Sequence, residues 1–221
     1  MAEHEVRWVV LTADIIGSRR VAPRESLRDN LVQALVHINN TWADDIVVPF
    51  SLLAGDEIQG VVRPGPFAFC MPRRLRWAMR RLAVKPPILL RVGVGWGFIE
   101  TPLTASRSRE MDGPAFHYAR AALRAARAAR SEATRFACGD PLHERWANIV
   151  LALTDALMGQ WTRAQWEAVD AYERRGTYAS AAKELGIALQ NVQKRCSAAH
   201  WSVVYEAERW LGESLASPSS G

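Results

Sequence analysis

A chain of 221 residues with 49% hydrophobic and 23% charged side chains has the make-up of an ordinary globular protein, between one large domain and two small ones. That balance excludes disordered and fibrous architectures. The net charge of +5 is unevenly spread: residues 1–62 carry five basic residues against nine acids, residues 63–135 fifteen against four, and residues 136–221 eight against ten. An anionic ligand is therefore expected on the middle of the chain. Of the 28 basic residues 25 are Arg, a choice that bidentate phosphate contact and a genome-wide codon bias explain equally well. No apolar run approaches the roughly 20 residues of a membrane span, because Asp14, Arg19 and Arg20 interrupt the first hydrophobic stretch. The amino-terminal Met-Ala-Glu-His-Glu lacks the basic segment of a signal peptide. Cys70, Cys138 and Cys196 form neither a CxxC pair nor an even disulfide set, which suits buried thiols in a reducing cytoplasm. A cytoplasmic location without a membrane partner is expected.

Residues 6–13 form a β-branched, apolar run that ends at Asp14 and reads as a buried strand. Leu27, Leu31, Ala34, Leu35 and Ile38 recur at helical spacing over 23–39, with Pro23 at the start, where a helix tolerates it. Apolar runs at 46–53 and 58–62, separated by Ala54-Gly55-Asp56-Glu57, predict a β-hairpin with two carboxylates at its tip. Over 67–84, Phe67, Met71, Leu75, Ala78 and Leu82 share a helical face, and Arg73, Arg74, Arg76, Arg80 and Arg81 fall largely on the others. Pro86-Pro87 stops that helix. Residues 88–99 predict a strand in which Arg91, Gly93, Gly95 and Gly97 alternate with Val92, Val94, Trp96 and Phe98, and the missing side chains let something approach closely. A polar loop over 101–111, an Ala- and Arg-rich helix over 115–130 and a closing strand over 135–138 follow.

This order predicts an α+β fold, a ferredoxin-like or palm-type open sheet with helices on one face. Gly139-Asp140-Pro141 marks a change of composition, after which everything reads as helix. The expected division is a palm domain over 1–140 and an all-α domain over 141–221, joined by a helix over 146–161.

Asp14 ends the first strand and Asp56 stands at the hairpin tip, with Glu57 beside it. Adjacent strands bring such carboxylates to one sheet edge, where they repel unless a divalent cation lies between them. Magnesium suits the site, since it takes few carboxylates and completes its octahedron with water and nucleotide phosphates. Two ions so held activate an attacking oxygen and stabilise a leaving pyrophosphate. The same residues also suit a plainer role, Asp14 as a turn cap and Asp56 as a hairpin former.

Four blocks, Thr12-Ala13-Asp14-Ile15-Ile16-Gly17-Ser18-Arg19, Ala54-Gly55-Asp56-Glu57-Ile58-Gln59-Gly60, Arg91-Val92-Gly93-Val94-Gly95-Trp96-Gly97 and Asp112-Gly113-Pro114-Ala115-Phe116, together resemble the SatD family across residues 6–130. SatD-like proteins are in turn similar to class III nucleotidyl cyclases and GGDEF domains. The resemblance implies a cyclase-like palm with metal carboxylates at Asp14 and Asp56 and Mg2+ or Mn2+ as the ion. A nucleoside triphosphate or related nucleotide is then expected against Gly17, Ser18, Gly55, Glu57, Arg120 and Arg124. Aligned on Gly113, the cyclase Asn and Arg positions are His117 and Ala121, and the adenine-reading Lys has no equivalent in Phe50-Ser51-Leu52. His117, alone on an Ala-rich helix, is expected to be a partly buried packing residue. Arg120, Arg124, Arg127 and Arg130 form a stripe that reads as a solvated face or a phosphate-facing one.

In the second region Thr162 is the expected cap of a helix, 178–185 a second helix and 188 onward a third. The spacing Ala182-x-x-x-Gly186-x-x-x-x-x-Val192 is that of a helix-turn-helix: a small residue for a close crossing, Gly for the turn and Val to close the core. The segment resembles sigma-factor region 4 units. The resemblance implies DNA binding, with Gln190, Asn191 and Gln193 at base edges and Lys194 and Arg195 on phosphates. A helical hairpin used only for assembly is the alternative, favoured by the net −2 of residues 136–221. Trp201, Val204, Leu211 and Leu215 continue an apolar stripe expected to cover the first helix or a second subunit, and a homodimer would match two half-sites. The expected function is that of a cytoplasmic DNA-binding regulator of SatD type whose palm binds metal and nucleotide. An active nucleotidyl cyclase or nucleotidyltransferase, and a pseudoenzyme scaffold that only binds DNA, are the alternatives.

Overall fold

The computed structural model describes residues 6–17, 24–53, 56–82, 84–101, 103, 111–129 and 131–216. The apolar run that ends at Asp14 is a central strand, β1 (Trp8–Ile15), paired antiparallel to a neighbour on each side. One neighbour is β3 (Glu57–Val62), which pairs antiparallel with β2 (Ile46–Leu52); the other is β4 (Leu90–Gly97), which pairs parallel with β5 (Ala133–Ala137). The order is β2-β3-β1-β4-β5, so the first four strands have the ferredoxin-like arrangement and β5 extends it by one. Two helices connect within the first four strands, α1 (Arg24–Thr41) and α2 (Met71–Arg80), the latter preceded by a 3-10 turn (Ala68–Cys70). The fold class is α+β, as the element order predicts.

The expectation of helices on one face is corrected. The odd-numbered residues of β1, Val9 to Ile15, share a core with α1 and α2, whereas Val10 lies in a second core with Ala115, Phe116 and Ala119 of α3 (Pro114–Ala126). The sheet is therefore covered on both faces. α3 crosses directly over β4, because a Cβ at Gly93 would collide with the Ala119 carbonyl and Leu123 nitrogen, and one at Gly95 with the Ala115 carbonyl and Ala119 nitrogen. The missing side chains do admit something close, and it is a helix backbone.

Five more helices follow: α4 (Pro141–Met158), α5 (Arg163–Arg175), α6 (Tyr178–Leu185), α7 (Leu189–Ala198) and α8 (Trp201–Ala216). Asp140 caps α4, and Thr162 caps α5 through a reciprocal bond with Gln165, so each start lies where a capping residue stands in the sequence. Trp161, Trp166, Val192, Trp201 and Val204 form a core of their own. The helical region is nevertheless seated on the palm: Ala147 and Leu151 of α4 and Leu211 and Leu215 of α8 join the α1–α2 core, and Trp77 of α2 enters the helical one, stacked at 6.2 Å on Trp166. The stripe Trp201, Val204, Leu211, Leu215 is thus buried inside the chain and presents nothing to a second subunit.

The arginines of α2 hold that seat. Arg73, Arg74 and Arg76 are buried despite their charge. Arg73 bonds Glu173 at 2.8 Å and Glu208 at 3.0 Å, Arg74 bonds Glu173 and Asp45 at 2.8 Å each, and Arg76 meets Asp155. Arg80 meets Glu132. Four of the fifteen basic residues of 63–135 are therefore answered by acids of this chain, which removes α2 as the place where an anionic ligand is expected.

Candidate functional site

Three in-register strand positions build the first site. Asp14 on β1 stands opposite Glu57 on β3 and opposite Arg91 on β4. Residues paired across antiparallel strands point to the same face, here the face that α3 covers. One row further in, Gln59 donates to Thr12 Oγ1 at 3.2 Å, both buried. α3 ends just short of the sheet edge, and Arg127, immediately after it, reaches down. Its Nε donates to Asp14 Oδ2 at 2.8 Å and its Nη2 lies 3.8 Å from Glu57 Oε2. The bond to Asp14, with the Glu57 and Asp56 charges beyond it, holds the Arg127 guanidinium protonated still more firmly than usual. Arg91 turns aside to donate to the Ala129 carbonyl at 2.9 Å.

Asp14 is left with one oxygen uncommitted. Oδ1 is buried and has no hydrogen-bond partner, a condition that costs energy unless something satisfies it. Glu57, the residue across from Asp14, is the nearest second carboxylate by register, and Asp56 lies one position outside the paired rows. Among the described residues no three acid, histidine or cysteine side chains converge. The donors at hand are thus two carboxylates, with an arginine as their present counter-charge. Gly17 follows two residues after β1 in a left-handed conformation, φ 68°. Ser18 and Gly55 lie outside the described residues.

The sequence placed Arg120 and Arg124 in this site, and the structure does not bring them to Asp14. Arg120 bonds His117 Nδ1 at 2.9 Å and lies 3.6 Å from Asp112, and Arg124 is exposed. His117, expected to be partly buried, is instead exposed, 3.5 Å from Asp112, because the buried side of α3 is carried by Ala115, Phe116, Ala119 and Ala122. The Gly113 N–H, then His117 and Arg120, draw the Asp112 carboxyl below its ordinary range. Arg127 is the residue missed. The stripe spacing 120, 124, 127 contains it, but only the position where α3 stops decides which member reaches the sheet edge.

A second candidate surface lies on α7. α6 ends at Gly186, φ 64°, a left-handed cap that few other residues adopt without strain, and α7 begins three residues on. Ala182 and Val192 are both buried, as the spacing requires. Gln190, Asn191, Gln193 and Lys194 are exposed and Arg195 half-buried, and none of the five side chains bonds another residue. A cleft of about 650 Å3 between Trp42, Arg74, Tyr172 and Tyr205 includes neither surface.

The fold and its edge define a palm-type α+β protein with a carboxylate pair at a central strand end and a helical region seated on its α1–α2 side. The chain belongs to the SatD family, whose family model matches residues 8–203. No curated protein matches it. Nineteen chains of solved structures do. One, described as "Structure of a bacterial light-regulated adenylyl cyclase", is 15% identical with a TM-score of 0.43, covering 71% of this chain and 81% of that one. Among the described residues no helix is long and apolar enough to cross a membrane.

Proposed function

We propose that this SatD-family chain is a DNA-binding regulatory protein that presents α7 to the major groove. The observation that carries the reading is the row Gln190, Asn191, Gln193, Lys194, exposed and without intramolecular partners, on a helix whose other side is fixed by buried Val192 and Cys196. Gln and Asn side chains match the donor and acceptor pair of adenine, and Lys194 and Arg195 suit phosphate. The net negative count of residues 136–221 does not oppose this. Asp155, Glu173 and Glu208 turn into the palm arginines, and Glu184 is held by Arg174 and Arg175, so the acids are spent away from α7.

Fluorescence anisotropy with random and genomic duplexes across a salt series tests it. Lys194→Ala is expected to weaken all duplexes alike and lower the salt slope by about one, and Asn191→Ala to relax one base position by about 1–3 kcal/mol. Absence of salt-sensitive binding to any duplex refutes the reading.

The uncommitted Oδ1 of Asp14 favours a second reading for the palm, that Asp14 and Glu57 hold Mg2+ or Mn2+ with a nucleotide. Arg127 would leave Asp14 to the ion and turn to phosphate, with water completing the octahedron. A nucleoside triphosphate at a hundred times its Kd raises stability by about 2.7 kcal/mol. That gain should need the metal and vanish in Asp14→Asn. Turnover that also vanishes in Asp14→Asn marks an enzyme, and a flat series leaves the palm a scaffold.

A further inference from the structure

α4 is apolar on two opposite sides. Ala147, Leu151, Thr154 and Met158 face the chain's own cores. On the other side Leu142, Trp146, Ile149 and Leu153 are 63%, 58%, 45% and 63% exposed. A helix that is apolar all round is normally covered all round, and exposed apolar patches of this kind mark interaction sites. The outward residues are spaced four, three and four apart, and Ala156 continues the row by three. That is the seam of a coiled coil rather than the broader stripe of a helix on a globular core.

We propose that α4 is a dimerisation helix, its outward seam pairing with the same seam of a second copy of this chain. Three observations select that occupant. The first is charge. Within the seam, Leu142 to Ala156, His143 pairs with Asp140, Glu144 accepts from the Cys138 and Gly139 N–H groups, and Asp155 turns inward to Arg76. Exposed Arg145 stands at the edge of the row, where its long side chain keeps its charge in water. Asn148 is bonded at both ends to the Phe136 backbone and Thr154 to the Leu151 carbonyl. Two such faces therefore meet without burying a charge or an unsatisfied polar group. The second is shape. Trp146 of α4 and Trp210 of α8, itself 53% exposed, flank a groove of about 230 Å3 floored by Phe69 and Phe136, which offers a hole for a knob from the facing copy. Related by a two-fold axis, knob and hole are supplied by both chains. The third is area. By their exposures the five large side chains leave on the order of 500–600 Å2 of apolar surface per copy, near the low end of specific interfaces. Of the residues outside the described set only Met1 and Val21 are large and apolar, so no segment there matches the seam.

The dimer so built is reversible, and the test is its mass as a function of concentration. Sedimentation equilibrium of the full chain across two decades of concentration should show a monomer–dimer equilibrium. Ile149→Glu, at a position already solvent-exposed in the single chain, should give a monomer with an unchanged circular dichroism spectrum and thermal midpoint. Should that variant misfold, Ile149→Cys in a chain carrying Cys138→Ser serves instead: under mild oxidation it should form a cross-linked dimer that a Cys placed at an exposed position away from the seam does not. A wild-type chain that stays monomeric overturns the proposal, as does a dimer that Ile149→Glu leaves intact. Monomers that bind zwitterionic vesicles through the seam overturn it in favour of a lipid surface.

Discussion

Replacing Arg73 by Met removes the cation that joins the helical region to the palm. Arg73 donates to Glu208 from Nε and Nη2 at 3.0–3.1 Å and to Glu173 at 2.8 and 3.1 Å, with its guanidinium 4.5 Å from the Trp201 ring centre. Met retains most of the aliphatic bulk, so little cavity is created. Glu173 keeps Arg74 as a partner, but Glu208 is stranded. Removing one side of a buried ion pair costs about 3–5 kcal/mol. At about 2–4 °C per kcal/mol for a chain of this size, the midpoint should fall by about 6–20 °C.

The pH dependence carries a sign that simple loss of contacts does not. Burial already pushes the Glu208 carboxyl above its ordinary range, and Arg73 opposes that rise. Without Arg73 the folded-state pKa climbs further. A carboxyl with a raised folded pKa contributes its stability below the unfolded value and loses it as pH rises through the folded value. The variant should therefore recover stability towards about pH 5 relative to about pH 8, where wild type changes less. Urea titrations at the two pH values, followed by tryptophan fluorescence and circular dichroism, read both free energy and slope. Adding Glu208→Gln to Arg73→Met should restore much of the loss by removing the stranded charge. A cost under about 1 kcal/mol, or a variant that weakens towards acid, refutes the seating of α8 on α2.

Gly95→Ala should cost about 3 kcal/mol or more, because its Cβ meets backbone atoms of α3 that cannot step aside; a loss under about 1 kcal/mol on denaturation would mean that α3 does not lie on β4. Glu184 is held down to about 2 by its bonds to Arg174 and Arg175, so its contribution, about 1 kcal/mol after solvent screening, is present above about pH 4.5 and disappears as pH falls towards 2. The difference in thermal midpoint between wild type and Glu184→Gln should accordingly close on acidification. Cys196, buried and with its thiol pushed up to about 11, and the buried Cys70 should resist a thiol reagent at about pH 8 until the chain unfolds. The half-buried Cys138 should react first, and two fast thiols per chain would contradict the burial described.

What was legible in the sequence was local, and what was not depends on partners far along the chain. The Gly93/Gly95 row announces a close approach, yet not that α3 makes it, because the pattern within one segment does not name the distant element that packs on it. Spacing alone carries Ala182, Gly186 and Val192 to their places, since each acts within a single turn between two helices. The α2 arginines show the opposite case. Their partners Asp155, Glu173 and Glu208 stand 79 to 135 residues away, so segment-wise charge counts present one internal ion-pair network as a basic middle and an acidic end. Removing those three arginines and three acids from both sums leaves 63–135 at twelve basic residues against four acids and brings 136–221 to eight against seven, so the helical region's outward face is less acidic than its composition. The candidate site obeys the same logic. Asp14 was visible as a carboxylate ending an apolar strand, whereas the place of Glu57 directly opposite it follows from strand register, and its hold on Arg127 follows from where α3 stops. Both are set by pairing across the sheet, which a one-dimensional pattern does not encode.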